Sequence, residues 1–163
     1  MLLWIRGLFF TVLVPGTVAG YVPYLLMRNR LSDISTGIFH WVGLLIMCLG
    51  IFIYLWTAIS FLLKGKGTPA IFFTKIIGFI IGEEPVKMVS YGLYKHSRNP
   101  MYLGVITTTI GEGIFYQYSN VLWYALSLVV IFNLVVIFIE EPHLEQKFGD
   151  EYKAYKKKTI RWV

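Results

Sequence analysis

The sequence predicts an all-α integral membrane protein: about four transmembrane helices, an interfacial segment and a C-terminal amphipathic cytosolic helix. Three observations carry that expectation. Of 163 residues, 56% are hydrophobic and 15% charged, against roughly 25% charged in soluble domains, and the mean hydropathy is +0.64. Residues 7–27, 42–63 and 121–139 hold no charge and match the ~20 residues that cross a bilayer. The basic residues cluster in one long loop and the tail, as in chains oriented by the positive-inside rule.

Taken in order, residues 7–27 form the first span. Val18-Ala19-Gly20 imitates a signal-peptide cleavage site, but the apolar run continues to Met27, so an uncleaved helix is expected. Pro15 and Pro23 predict a kink or an early end. Residues 42–63 form the second span, closed by the turn formers Gly65, Gly67 and Pro69. Residues 70–82 are apolar but short and interrupted by Lys75, which suits an interfacial or re-entrant piece. Residues 101–118 form a third span containing Glu112, and residues 121–139 a fourth. Beyond it, apolar residues recur at three- and four-residue steps through Leu144, Phe148, Tyr152 and Tyr155, the pattern of a helix on the membrane surface. Trp4, Trp41, Trp123 and Trp162 sit near the expected borders. One domain suits the length. Residues 1–63 read as two N-terminal membrane helices, and residues 64–163 hold nearly all the polar chemistry.

The net charge of +6 reports orientation and attraction to anionic lipid rather than nucleic acid. Lys64, Lys66, Lys75, Lys87, Lys95 and Arg98 lie in the long loop, and Lys147, Lys153, Lys156, Lys157, Lys158 and Arg161 in the tail, whereas residues 117–120 carry no charge. Loop, tail and N-terminus are therefore expected in the cytoplasm, against a minor vote from Arg28 and Arg30. Cys48 is the only cysteine, and His40, His96 and His143 lack metal-ligand spacing, so no disulfide framework or metal site is expected.

Two polar blocks border the last hairpin. In the first, Pro100 at a helix start makes Asn99 the expected N-cap. Free N–H groups there, with Arg98 and His96, suit a carboxylate or phosphate; a snorkelling arginine beside an ordinary cap is the plainer reading. In the second, Glu140 and Glu141 are adjacent acids at a membrane border, where neither the inner leaflet nor a helix C-terminus favours them. One is expected to pair with Arg98 or Lys95, as a structural ion pair or as part of a zwitterion site. Glu112 is either a functional intramembrane carboxylate or a group near the outer interface. Tyr102, Phe148, Tyr152 and Tyr155 suit either stacking on a flat ligand or anchoring at the interface. The run Lys156-Lys157-Lys158 reads as a headgroup contact.

Together, Tyr94-x-x-x-Arg98-Asn99-Pro100-x-Tyr102-x-Gly104 and Glu140-Glu141-x-x-Leu144-x-x-x-Phe148-Gly149-x-x-Tyr152-x-x-Tyr155 resemble the isoprenylcysteine carboxyl methyltransferase family, related to the membrane phospholipid methyltransferases. Gly65, Gly67, Thr68, Pro69 and the closing Arg161-Trp162 fit its prokaryotic-type members, and the likeness covers residues 64–163. The resemblance implies a cofactor-binding methyltransferase core there, with S-adenosyl-L-methionine in a cytosolic pocket between the motifs and S-adenosyl-L-homocysteine as product. It implies catalytic roles for Arg98 and Glu141. Cofactor contacts fall to Tyr94, His96, Asn99, Pro100, Tyr102, Leu103, Gly104, Glu140, Glu141, Leu144, Tyr152 and Tyr155. Asn99 stands where isoprenylcysteine enzymes commonly have histidine, so a prenyl-cysteine acceptor is less firmly implied than a prenyl- or lipid-like one reached through the bilayer. The expected reaction is methyl transfer to a carboxylate; the rivals are N-methylation of a phospholipid amine, a non-catalytic scaffold of the same fold and, more distantly, a nicotinamide-dependent sterol-reductase-like role.

Overall fold

The structure is a computed structural model and describes residues 2–28, 34, 35, 37–65 and 88–162. The segment expected over 70–82, the turn formers at 67–69 and the side chains of Trp4 and Lys64 lie outside the described part. Among the described residues there is no β-strand. The chain runs through α1 (Leu2–Leu13), a π-helical turn (Thr17–Tyr21) and α2 (Val22–Arg28), then a 3-10 turn (Gly37–Phe39) and the long α3 (His40–Gly65). A second 3-10 turn (Gly92–Lys95) leads into α4 (Pro100–Phe115). Then come α5 (Ser119–Val135), a π-helical turn (Val136–Glu140), α6 (Glu141–Phe148) and α7 (Asp150–Lys158).

Among the described residues, three helical stretches are long and apolar enough to cross a membrane: Gly7–Arg28, Gly37–Leu63 and Ser119–Phe148. They contain the three uncharged stretches of the sequence. The expected third span is the 16-residue α4, about 24 Å long at 1.5 Å per residue, which is short for a bilayer core of ~30 Å. The chain is an all-α integral membrane protein.

Two helices run on where the sequence suggested a stop, for the same reason. Each π turn lies just before a proline: Thr17–Tyr21 before Pro23, Val136–Glu140 before Pro142. A proline inside a helix removes an N–H and crowds the carbonyl four residues back. Widening one turn absorbs the clash without breaking the rod. The Tyr124 hydroxyl donates to the Val18 carbonyl in the first π turn at 3.0 Å.

α3 and α4 form the most extensive helix pair and run antiparallel. Their seam consists of glycine. A Cβ on Gly43 would strike Phe115 and Gly111, and one on Gly50 would strike Thr108 and Gly104. From the other side, a Cβ on Gly111 would strike Met47, and one on Gly104 would come within 2.7 Å of the Tyr54 backbone nitrogen. Backbone meets backbone, the contact small residues permit between membrane helices. Tyr54, Ala58 and Val105 are buried just below this seam, with Val18, Met101 and Phe132 packed against them. On the outside, Leu45, Phe52, Trp56, Leu126 and Phe138 are exposed, as lipid-facing side chains are.

The surface helix expected after the last span is divided in two. Gly149, at φ 55° and ψ −126°, ends α6 and starts α7; that backbone conformation is nearly confined to glycine.

Candidate active site

A cavity of about 340 Å³ opens where the two polar blocks meet. Its apolar wall comes from Phe10, Val14 and Val18 of the first span and from Phe132, Val135 and Val136. Its polar end comes from Tyr94, Arg98, Asn99, Glu140, Glu141 and Tyr155. Walls are thus drawn from both sides of the residue-63 boundary. The contribution of the first span went unread because these residues are ordinary hydrocarbon in sequence; only Pro15 marks the place.

The residues reach this point for local reasons. Pro100 begins α4, where its missing N–H costs nothing, and Arg98 and Asn99 stand at the helix start. The π turn before Pro142 brings Glu140 and Glu141 to the same end. Arg98 Nη1 lies 2.9 Å from Glu141 Oε1, with the two side chains 8% and 6% exposed. Glu141 also receives Arg161 Nε at 2.7 Å and Nη2 at 3.2 Å, and Lys156 Nζ lies 3.1 Å from its Oε2. Three cations therefore meet one buried carboxylate. Arg98 Nη1 meets Glu141 as an ion-pair contact without hydrogen-bond geometry, and among the described residues Arg98 Nε is buried with no hydrogen-bond partner. Glu140 is held differently: the Tyr102 hydroxyl donates to its Oε1 at 2.5 Å, and the Tyr102 ring packs on Phe132 with centroids 4.5 Å apart.

Burial pushes the phenols of Tyr94, Tyr152 and Tyr155 above their ordinary range, so they stay neutral donors. Tyr155 donates to the Tyr94 carbonyl at 2.6 Å, which ties α7 to the 3-10 turn. Hydrogen bonds to Glu145 and Glu141 raise the Lys156 ammonium, and the bond to Glu141 raises the Arg161 guanidinium.

Of the residues expected at the site, the cavity brings together Tyr94, Arg98, Asn99, Tyr102, Glu140, Glu141, Leu144, Tyr152 and Tyr155. His96, Pro100, Leu103 and Gly104 are not in its lining. His96 is exposed, and Gly104 is buried against Tyr54. Asn99 occupies the N-cap position, yet its side chain caps nothing; Nδ2 donates instead to the Arg161 carbonyl at 2.9 Å. Lys156 differs from its expected headgroup role as well. It follows Tyr152 by four residues and so shares its inward face, whereas Lys157 and Lys158 are exposed. Trp162 donates from Nε1 to Asn133 Oδ1 at 3.1 Å. Glu112 is outside the lining, and its Oε2 is buried without a hydrogen-bond partner among the described residues. No group of three His, Cys, Asp or Glu side chains suited to a metal converges among those residues.

Fold and site together define a class, an α-helical membrane protein with a buried arginine–carboxylate cluster closing one end of an apolar cavity. Residues 38–151 match the family described as phospholipid methyltransferase. The match covers well over half of the chain, so this chain belongs to that family, which assigns it to the membrane methyltransferases. An uncharacterized protein of Haemophilus influenzae is 50% identical over 50 residues, 26% of this chain and 79% of that protein. No solved structure matches.

Proposed function

We propose that the chain is an S-adenosyl-L-methionine-dependent methyltransferase acting on a hydrophobic or lipid-linked acceptor, with the cavity as its active site. The observation that supports this most is Arg98, a buried guanidinium that lines the end of an apolar cavity and is held there by Glu141. Hydrocarbon along one wall and a cation at the end suit an acceptor with an apolar tail and an anionic head.

When bound, S-adenosyl-L-methionine supplies an electrophilic methyl group on a sulfonium sulfur. Tyr94, Asn99, Leu144, Tyr152 and Tyr155 would hold it, with Glu140 beside its ammonium. Glu141 is saturated by three cations and suits holding Arg98 better than holding a ligand. Arg98 then grips and orients the acceptor carboxylate, bidentately where geometry allows. A carboxylate is already a nucleophile, so no side chain must remove a proton. The residues contribute alignment and exclusion of water, which together can be worth ~7–11 kcal/mol. The expected sidedness follows the exposed Lys153, Lys157 and Lys158 of α7, which favour the cytoplasmic face.

N-methylation of a phospholipid amine is the second reading. It is favoured by the family's description and by Glu140, a cavity-lining carboxylate with a phenol donor. An amine acceptor must lose a proton before attack, so its rate rises with pH above neutrality, whereas carboxylate methylation stays flat there.

The test is calorimetric binding of S-adenosyl-L-methionine and S-adenosyl-L-homocysteine to the detergent-purified chain, with NADPH as control, followed by turnover on lipid carboxylates and lipid amines. Binding of the first two, with Arg98→Ala abolishing transfer but retaining binding, supports the proposal. Binding of none in a folded sample points to a scaffold, and binding of NADPH alone points to a reductase.

A further inference from the structure

Four consecutive residues at the end of the described chain each bond to a different residue in or beside the site. Thr159 Oγ1 donates to the Lys95 carbonyl at 3.4 Å. The Ile160 carbonyl accepts the Arg98 amide at 3.0 Å, in an isolated bridge between Ser97 and Ile160. The Arg161 carbonyl accepts Asn99 Nδ2 at 2.9 Å, and Trp162 is held by Asn133 of α5. These residues form a strap across the loop that presents Arg98.

The Arg161 side chain points from this strap to both oxygens of Glu141, at 2.7 and 3.2 Å. The same carboxylate pairs with Arg98 at 2.9 Å and Lys156 at 3.1 Å. A carboxylate has about four acceptor positions, and these cations account for them. Two parallel N–H···O bonds fix the plane of a carboxylate; a lysine ammonium, a point charge, cannot. Lys156 therefore neutralises Glu141 without orienting it.

We infer that Arg161 is a positioning residue: held by the C-terminal strap, it sets the plane of Glu141, and Glu141 fixes the Arg98 guanidinium at the cavity wall. Without Arg161, Glu141 turns toward Lys156 and Arg98 loses its bearing. A misplacement of about 1 Å at a reacting centre can cost on the order of a hundredfold in rate. Cofactor affinity, which rests on the tyrosines and Glu140, changes little. The kinetic part of this inference rests on the function proposed above; the strap itself does not.

The test uses the full chain in detergent. In Arg161→Ala, kcat is expected to fall by on the order of a hundredfold, while the affinity for S-adenosyl-L-homocysteine stays within about threefold, a shift worth ~0.7 kcal/mol. Arg161→Lys recovers part of the loss. Arg161→Ala added to Glu141→Gln slows the enzyme no further than Glu141→Gln alone. By hydrogen exchange, the Arg98 amide loses protection in Arg161→Ala while the α4 amides keep theirs. Unchanged kcat, additive losses in the double variant, or a parallel fall of kcat, affinity and α4 protection overturns the inference. If the unaltered protein neither binds the cofactor nor transfers methyl groups, the proposed function fails, and the exchange result decides the strap by itself: retained Arg98 protection in Arg161→Ala overturns it.

Discussion

Glu141 is 5% exposed and surrounded by Arg98, Arg161 and Lys156. The desolvation of a buried charge is large, and partners offset it only while all of them are present. Glu141→Ala leaves the buried Arg98 uncompensated and is expected to cost about 3–5 kcal/mol of stability, read as a lowered thermal midpoint in detergent. Loss of activity in that variant says little about chemistry. Glu141→Gln keeps the shape and an acceptor oxygen and is the sharper probe. Arg98→Lys keeps the charge but loses the planar fork; turnover is expected to fall at least tenfold with cofactor binding intact, measured by calorimetry and single-turnover transfer. Comparable activity of Arg98→Lys and the unaltered chain would sink the orienting role proposed for the guanidinium.

At the scale of elements, the glycine seam between α3 and α4 decides how closely two apolar rods approach. A glycine-to-alanine change inside a helix ordinarily gains roughly 0.5–1 kcal/mol from propensity. Here the new Cβ of Gly50→Ala or Gly111→Ala would land on the backbone of the facing helix. Overpacking of that kind costs about 1–3 kcal/mol, so the clash outweighs the propensity. Both variants are expected to unfold at lower temperature than the unaltered chain, and a stabilised Gly111→Ala would disprove the close seam. Gly149 poses the opposite case: nothing crowds it, but its backbone conformation is nearly glycine-only. Gly149→Ala is expected to cost ~1–3 kcal/mol through strain alone and to displace α7, with Tyr152, Tyr155 and Lys156, from the cavity. Weakened cofactor binding by calorimetry would register that displacement.

The whole molecule has a predictable response to alkali. Burial raises Tyr94, Tyr152 and Tyr155 above the ordinary phenol range, and hydrogen bonds raise Lys156 and Arg161. In every case the folded state holds its proton more tightly than the unfolded chain. The associated stability is fully present below the unfolded pKa values, about 10 for tyrosine and 10.4 for lysine. It is lost as pH rises from there through the folded values, because the unfolded chain sheds protons first. Lys156 contributes little, since its side chain is 36% exposed and screened. These groups are expected to leave thermal stability level between pH 7 and 9 and to make it decline above about pH 10; a rise above pH 10, followed by circular dichroism, would contradict the assignment.

The membrane class, the apolar segments and the two polar blocks were legible in the sequence, because the bilayer imposes length and hydropathy on each segment separately and no partner is needed to read them. The meeting of Tyr94, Arg98 and Asn99 with Glu140, Glu141 and Tyr155 was legible as well, through spacing and resemblance. Other features exist only between segments. Asn99 resembled an ordinary cap until the strap supplied the Arg161 carbonyl. Lys156 resembled its neighbours in a basic run until its helical phase turned it toward Glu141. Phe10, Val14 and Val18 were undistinguished hydrocarbon until the first span folded into the wall of the cavity. Hydropathy is a property of one residue in one solvent, so sequence alone determined where the chain sits. A carboxylate's partners depend on which helices approach and at what phase, so only the tertiary structure decided that Glu141 is spent on three cations, with Arg98 and Glu140 at the cavity.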